Sequence, residues 1–412
     1  MIYSPVKEIK VGLNLESKFF NVGRLAYHSG KIYFEYDREF LSSGLEISPL
    51  KLPLQPGLKT FDPFLFEGLP GVFNDSLPDG WGRLLFDRST RAKCISLEKI
   101  TPLDRLAYVG NAGTGALSYE PDYGEEKVDT VINLDLLASH VQGVLEGEAD
   151  GVLQELLILN GSSAGARPKA MIGVDKNYEK IIHGTHALPE GFTPWIVKFP
   201  NTTDGKDAGA IEYVYSIMAK NAGLKMTDTH LFPSGREAGF FATRRFDREG
   251  ENRLHVHTAC GLINADFRTP SLDYEDLLAL TEFITKDMRE VEKMFRLAVF
   301  NVLAHNRDDH SKNFSFLMNA KGNWLLSPAY DLTFSSGSNG EQSTMVLGEG
   351  KNPGIEHLTK LGEKAKINKK SVSEIILQTR ESLSQWENLA KDYGVSKAKT
   401  DEISSKLKVK IS

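Results

Sequence analysis

Apolar residues recur at helical spacing through Val291, Met294, Phe295, Ala298, Val299, Val302 and Leu303, which predicts a helix with one buried face. The pattern breaks at a short polar stretch, Ala304-His305-Asn306-Arg307-Asp308-Asp309-His310-Ser311-Lys312-Asn313. Beyond it Phe314, Phe316 and Met318 alternate as in a strand, and Asn319-Ala320-Lys321-Gly322-Asn323 predicts a hairpin turn. The return arm runs through Trp324-Leu325-Leu326 to Asp331. Near the N-terminus Ile9, Val11 and Leu13 alternate, as do Ile32, Phe34 and Tyr36, with His28-Ser29-Gly30 as a turn. A small antiparallel sheet or barrel is expected there.

Between these ends the pattern is mixed. Residues 68–83 are punctuated by Gly and Pro and lead into a helix starting near Gly80; Asp75, Asp79 and Arg83 read as turn formers and a helix start. Arg105–Leu117, with three glycines, reads as a helix C-cap running into a strand. Residues 118–130 form an acidic joint, and a helical pattern runs from Leu134 to Leu145. Pro194–Pro200 predicts a short buried strand carrying Lys198. An amphipathic helix follows, bearing Ile211, Val214, Tyr215 and Met218 and stopping at Gly223. Phe240–Arg248 reads as a strand, and Ser371–Tyr393 as one helix with Ser371 and Glu374 as a capping box. The Lys-rich end, 397–410, reads as a solvated tail.

The helix, polar turn, hairpin and distal Asp form the frame in which protein kinases transfer phosphate. There an Asp orients the attacking hydroxyl, an Asn five residues later and a second Asp beyond a hairpin hold magnesium. Asp308 to Asn313 is five residues and Asp309 to Asn313 is four. Asp308 is therefore the candidate base, with Asp309 as neighbour or support, and Asn313 and Asp331 are the candidate metal ligands, oxygen donors suited to a hard cation. His310 and Lys312 are candidates for contact with the transferred phosphate. A buried Lys198 must meet an anion; Glu212 is a candidate partner and equally a solvated helix residue. The small residues of Gly161-Ser162-Ser163-Ala164-Gly165-Ala166-Arg167-Pro168-Lys169 let backbone amides approach a phosphate. The spacing is not a Walker A motif, but a strand-like Lys169–Ile172 afterwards fits a kinase glycine-rich loop.

Asn306–Ser315 together with Pro328-Ala329-Tyr330-Asp331 resembles the HipA family of serine/threonine kinase toxins from bacterial toxin–antitoxin modules. Residues 68–83, 105–117, 161–169 and 244–248 agree with it. The resemblance implies a loop over the ATP phosphates built from Ser162, Ser163, Gly165, Ala166 and Lys169, with Ser162 as an autophosphorylation site that switches the enzyme off. It implies Arg244 and Phe246 at the base of ATP and Asp247 on the ribose side. It also implies a small helix-turn-helix antitoxin as partner, and a protein target in translation such as an aminoacyl-tRNA synthetase. His255-Val256-His257-Thr258 departs from the family, where an acidic residue is common near Thr258. Alternating His without Cys or carboxylate neighbours is no metal motif.

Composition narrows the alternatives. The 412 residues are 41% hydrophobic, 25% charged and 9% aromatic with formal charge -6, which fits a globular chain of two or three subdomains. No basic surface points to nucleic acid, so DNA is expected only indirectly, through the antitoxin. Two separated cysteines and the lack of a membrane-length apolar run fit a cytoplasmic protein with no membrane contact. The expected architecture is α+β, a two-lobed protein-kinase-like fold: a β-rich N-terminal subdomain over 1–125, a nucleotide-binding region over 126–250 and an all-helical C-terminal lobe over 251–412. The expected activity is ATP- and Mg2+-dependent serine/threonine phosphorylation. A small-molecule kinase and a catalytically idle, antitoxin-bound co-repressor remain the alternatives.

Overall fold

The computed structural model describes residues 3–16, 18–124, 131–147, 150–161, 165–185, 187–250, 252–269 and 271–411. The N-terminal alternation builds β1 (Glu8–Leu15), β2 (Lys18–His28) and β3 (Lys31–Tyr36). Ile9, Val11, Leu13 and Phe34 are wholly buried. Ser29 and Gly30 link β2 to β3 with φ of 49° and 76°, the left-handed pair that matches the twist of a two-residue hairpin. With β4 (Lys59–Thr60) and β5 (Leu117–Glu120) these strands make an antiparallel sheet in the order β4-β3-β2-β1-β5. It is a sheet and not a closed barrel.

The helix Gly80–Ala92 begins where the turn residues end. The helix Pro102–Val109 opens on a Thr101/Asp104 capping box with Pro102 in its first turn and closes at Gly110, φ 49°. The three glycines that follow are thus a helix end entering β5.

A second sheet, order β7-β6-β8-β10-β9, contains β6 (Lys169–Asp175), β7 (Ile181–His183), β8 (Phe192–Lys198), β9 (Thr229–Phe232) and β10 (Phe240–Arg244). Trp195, Val197 and Phe240 on it share one core with Leu137 and Val141 of the Leu134–Glu146 helix and Leu156 of the Leu153–Asn160 helix. Trp81, Leu85 and Phe86 belong to that same core. The first sheet instead packs into the core of the helical lobe, through residues such as Phe73 and Leu262. The N-terminal segment therefore divides its apolar faces between both lobes.

The helix Ala208–Asn221 crosses behind the second sheet, and Gly223 (φ 80°) turns the chain out of it. The strand from Phe240 stops at Arg244, earlier than expected, because Arg245–Asp247 turn inward. β11 (Arg248–Glu249) and β12 (Asn252–Arg253) form a minimal hairpin.

The C-terminal lobe is mainly helical: Tyr274–Thr285, Met288–Leu303, Ile355–Lys364, Lys369–Leu383, Trp386–Asp392 and Lys397–Ile411. Strands enter it too. β13 (His255–Thr258), β15 (Ser315–Met318) and β16 (Trp324–Leu326) form a three-stranded sheet, and β14 (Leu272–Asp273) pairs in parallel with β17 (Thr344–Met345). All four residues of β15, the central strand of that sheet, are buried. Met294, Phe295, Ala298, Val299, Val302 and Leu303 are wholly buried, as the spacing required; each large side chain contributes about 1.5–3 kcal/mol.

Two expectations fail in the tail. The helix over 371–393 is two helices broken at Ser384–Gln385, and the first is capped by Asn368, whose side chain accepts from Lys370 N. The Lys-rich end is a helix whose Ile403 and Leu407 are buried; its lysines are the exposed side of an amphipathic element.

Candidate active site

β8 ends on Lys198 and β6 begins on Lys169, and the two are paired in register. Two ammonium groups on one sheet face repel, so the site needs carboxylates between them. Glu212 supplies one from the Ala208–Asn221 helix, with Oε1 2.5 Å from Lys198 Nζ. Asp331 supplies another, its Oδ1 accepting directly from Lys198 Nζ. Arg167 joins from the loop, 3.2 Å from Asp204 Oδ2 and 3.8 Å from Glu212 Oε2. Burial pushes the Asp331 carboxyl up, but Lys198 and Lys169 outweigh it and hold it well below the usual range. Burial pulls Lys198 down, and Asp331 and Glu212 more than restore it. Lys169 ends below its ordinary value, because burial is joined by the charge of Lys198.

The polar turn after the Met288–Leu303 helix is fixed from both ends. The Met288–Leu303 helix stops at Ala304, and His305 takes a left-handed φ of 55° with its ring stacked on Phe334. Asn306 Nδ2 donates to Asn301 Oδ1 at 2.9 Å. Asp331 also has a left-handed φ, 57°, a conformation an Asp tolerates better than most residues. Tyr330 beside it donates to Lys312 O at 2.6 Å. Leu326 N donates to the buried Glu290 at 3.0 Å, tying the hairpin to the start of the preceding helix.

The two adjacent aspartates part company. Asp308 is exposed at the cleft. Partial withdrawal from water raises its carboxyl, His310 opposes, and Asp331 adds to the rise. Asn313 Nδ2 donates to Asp308 O at 2.7 Å, which closes the five-residue turn and leaves the amide oxygen as the group to offer a cation. Asp309 is wholly buried and accepts from Tyr274 OH (2.6 Å), Gln342 Nε2 (2.9 Å), Ser343 N (2.9 Å) and Thr344 N (3.2 Å). Burial pushes its carboxyl up to about 7 against those four donors. It anchors the segment that follows Asp331. Arg307 holds the same segment through Gly340 O and through Lys351 O at 3.0 Å.

The other sequence candidates are placed as follows. Ser162 and Ser163 lie outside the described residues, so the structure says nothing of the phosphorylation site. Gly165 (φ 111°) and the exposed Ala166 lead into Arg167 and Lys169. His310 packs against Phe267, ring centroids 5.4 Å apart. Lys312 is not poised as a free cation: it is buried, 2.5 Å from Asp79 Oδ2 and over the Phe267 ring. Arg244 and Phe246 line a cavity of about 360 Å3 between the end of β10 and the β15–β16 hairpin; Lys198 and Asp331 are not among its walls. Asp247 corrects a prediction. Its carboxylate takes Arg245 Nε (3.0 Å) and Nη2 (2.8 Å), Arg248 Nη1 (2.7 Å) and Gly115 N (2.7 Å), and with 2% of the residue exposed it offers no surface to a ribose.

Sequence reasoning missed Asp75 and Asp79. Asp75 accepts from Thr258 N and Thr258 Oγ1, both at 2.8 Å, and meets His257 Nδ1 at 2.7 Å. His255 Nε2 lies 2.8 Å from Ile47 O, and burial pulls its ring down to about 3. The histidine pair is thus a buried tether between the connections that follow the N-terminal strands and the C-terminal lobe. No local pattern announces such a role, since Asp75 and His257 are 182 residues apart.

Among the described residues no three His, Cys, Asp or Glu side chains gather as a metal cage. A cation here would rest on one amide, one carboxylate and its ligand's own oxygens, which suits magnesium held against phosphates.

The family profile described as HipA-like C-terminal domain matches residues 161–386, and that of the HipA N-terminal domain matches 17–120. A Sinorhizobium fredii protein provisionally named as a kinase, Y4dM, is 24% identical over 405 residues, covering 92% of this chain and 90% of its own. The solved complex of Shewanella oneidensis HipA with HipB and operator DNA aligns at TM-score 0.71 and 16% identity, over 98% of this chain and 96% of that one. That likeness shows a shared fold. The Helicobacter pylori proinflammatory kinase CtkA aligns over 53% of this chain and 90% of its own, with 13% identity and a TM-score of 0.33, too low to carry an argument. The C-terminal profile spans more than half of the 412 residues, and the chain belongs to the HipA-like family.

Proposed function

We propose that this chain is an ATP- and Mg2+-dependent serine/threonine protein kinase and the toxin of a toxin–antitoxin module. One observation carries the chemistry: Lys198 meets Glu212 from the crossing helix and Asp331 from the far arm of the hairpin at once. Three distant segments thereby set the cation that a nucleotide's phosphates need beside the carboxylate a metal needs.

In this reading Asp308 orients the acceptor hydroxyl and takes its proton, and its raised carboxyl suits a base that must also let the proton go. Glu212 holds Lys198 toward the phosphates. Asn313 and Asp331 hold Mg2+, whose charge offsets that of the phosphates. Arg167, Lys169 and the backbone near Gly165 border the same space. Arg244 and Phe246 would meet the base through their backbone; Asp247 fixes that turn and does not touch the nucleotide. The protein target is a translation component such as an aminoacyl-tRNA synthetase, and Ser162 is an autophosphorylation off-switch. A small helix-turn-helix antitoxin restrains the toxin and brings it to DNA, consistent with what the Shewanella oneidensis complex contains. Among the described residues no helix is long and apolar enough to cross a membrane.

The test is expression of the wild type beside Asp308→Gln, with phosphoproteomics of both cultures. The reading requires growth arrest and new phosphoserine or phosphothreonine with the wild type alone. Equal phosphoproteomes, or arrest by both forms, would defeat it.

A further inference from the structure

Asp79 stands at the N-cap of the Gly80–Ala92 helix, in extended backbone with φ -121° and ψ 178°. An Asp there ordinarily accepts from the second or third amide of its own helix. This one makes no such bond. Both oxygens turn outward: Oδ1 accepts from Gly165 N of the phosphate loop, and Oδ2 lies 2.5 Å from Lys312 Nζ of the catalytic turn. The same helix start grips Gly165 a second time, because Trp81 N donates to Gly165 O at 3.2 Å. Gly80 allows that approach: a Cβ there would sit 2.5 Å from Gly165 O, and its φ of 43° already disfavours a side chain. The helix cannot readily move away, since Trp81 and Leu85 lie in the core beneath the second sheet.

We infer that Asp79 and Lys312 form a positioning latch that holds the phosphate loop at Gly165 down against the catalytic turn. The latch rests on the kinase reading for its purpose but on these contacts for its existence. Asp79 is 8% exposed and Lys312 9%, so neither charge has water to fall back on. Burial pushes the Asp79 carboxyl up, yet Lys312, the Gly165 amide and Lys169 together hold it below its ordinary value. The Asp79 carboxyl is therefore held in its charged form by the contacts it makes. The latch fixes Gly165 through a side chain that belongs to the N-terminal segment.

The test uses the full chain without nucleotide. Hydrogen exchange at Gly165, Ala166 and Arg167 is compared in the wild type, Asp79→Asn, Lys312→Gln and Lys312→Arg. Loss of either charge is expected to speed exchange there at least about tenfold while the Met288–Leu303 helix keeps its protection. Lys312→Arg should stay near the wild type. The double variant Asp79→Asn/Lys312→Gln should be no worse than the worse single, since each breaks the same contact. Should a charge variant fail to fold, Gly80→Ala reaches the loop by clash alone and is expected to raise loop exchange likewise. In phosphotransfer, Asp79→Asn should raise the KM for ATP about tenfold with kcat changed less. Unchanged loop exchange in the charge variants, or a rise spread equally over the helical lobe, overturns the latch. Local release in a chain that transfers no phosphate leaves the latch standing and removes the kinase reading.

Discussion

Two buried ion clusters lie within the same lobe boundary, and they are built in opposite senses. At the end of β10 one carboxylate, Asp247, sits between two guanidiniums and a backbone amide, with 3% of its side chain exposed. Both of its oxygens are engaged, Oδ1 by Arg245 and Oδ2 by Arg245, Arg248 and Gly115. In the cleft one ammonium, Lys198, sits between two carboxylates, and Asp331 keeps 33% of its side chain exposed. The first cluster is complete and shuts the N-terminal glycine loop onto the chain through Gly113 O and Gly115 O, both accepting from Arg248 at 2.7 Å. The second is crowded with charge of both signs and open on one side. A finished cluster stabilises a junction; an open one can exchange partners with a metal and a phosphate. Sequence placed Asp247 with the second kind. The bonds it makes place it with the first.

The contrast can be broken from either side. The largest effect should come from Asp331→Asn, which is expected to lower phosphotransfer at least about a thousandfold while unfolding in urea shifts by under about 1 kcal/mol. Next, Glu212→Gln should cost about a hundredfold in kcat/KM, because Lys198 loses the partner that aims it. Asp247→Asn should act on the fold instead, with a loss of about 3 kcal/mol in the same urea titration, since two buried guanidiniums lose their counter-charge. Acid titration sharpens this point. The Asp247 carboxyl is held far below its ordinary value, burial notwithstanding, by Arg245 and Arg248. Its contribution is present above about pH 4, the unfolded value, and is lost as pH falls toward the depressed one. The wild type should therefore lose stability below pH 4 more steeply than Asp247→Asn. The smallest effect concerns Asp308, whose carboxyl is raised by partial burial and eased down by His310. His310→Gln should move the acidic limb of the kcat profile to higher pH by a fraction of a unit, up to about one.

How much of this could be read from the chain depends on distance along it. The Met288–Leu303 helix and the β15–β16 hairpin follow from the periods of their own residues, so they were legible. So was the five-residue turn from Asp308 to Asn313, which closes through Asn313 Nδ2 donating to Asp308 O. The reason Asp309 is a support was not legible: its donors come from Tyr274 and from 342–344, more than thirty residues away on either side. Along the chain Glu212 reads equally as partner or solvated residue, and only the packing of its helix brings it to Lys198. Lys312 was misjudged because its partner, Asp79, is 233 residues earlier. The Lys-rich end was misjudged for a simpler reason. Two buried apolar residues on one face, Ile403 and Leu407, are too weak a signal against so many charges.

By itself the sequence determined the local devices: which stretches are helix, turn or strand, and which oxygen donors fall at the right spacing around one bend. Those depend on short-range sterics and period, which neighbouring residues decide. Only the tertiary structure decided which charges meet. A buried ion pair is selected by the geometry of whole sheets and helices brought together, and the low dielectric there makes each choice of partner decisive.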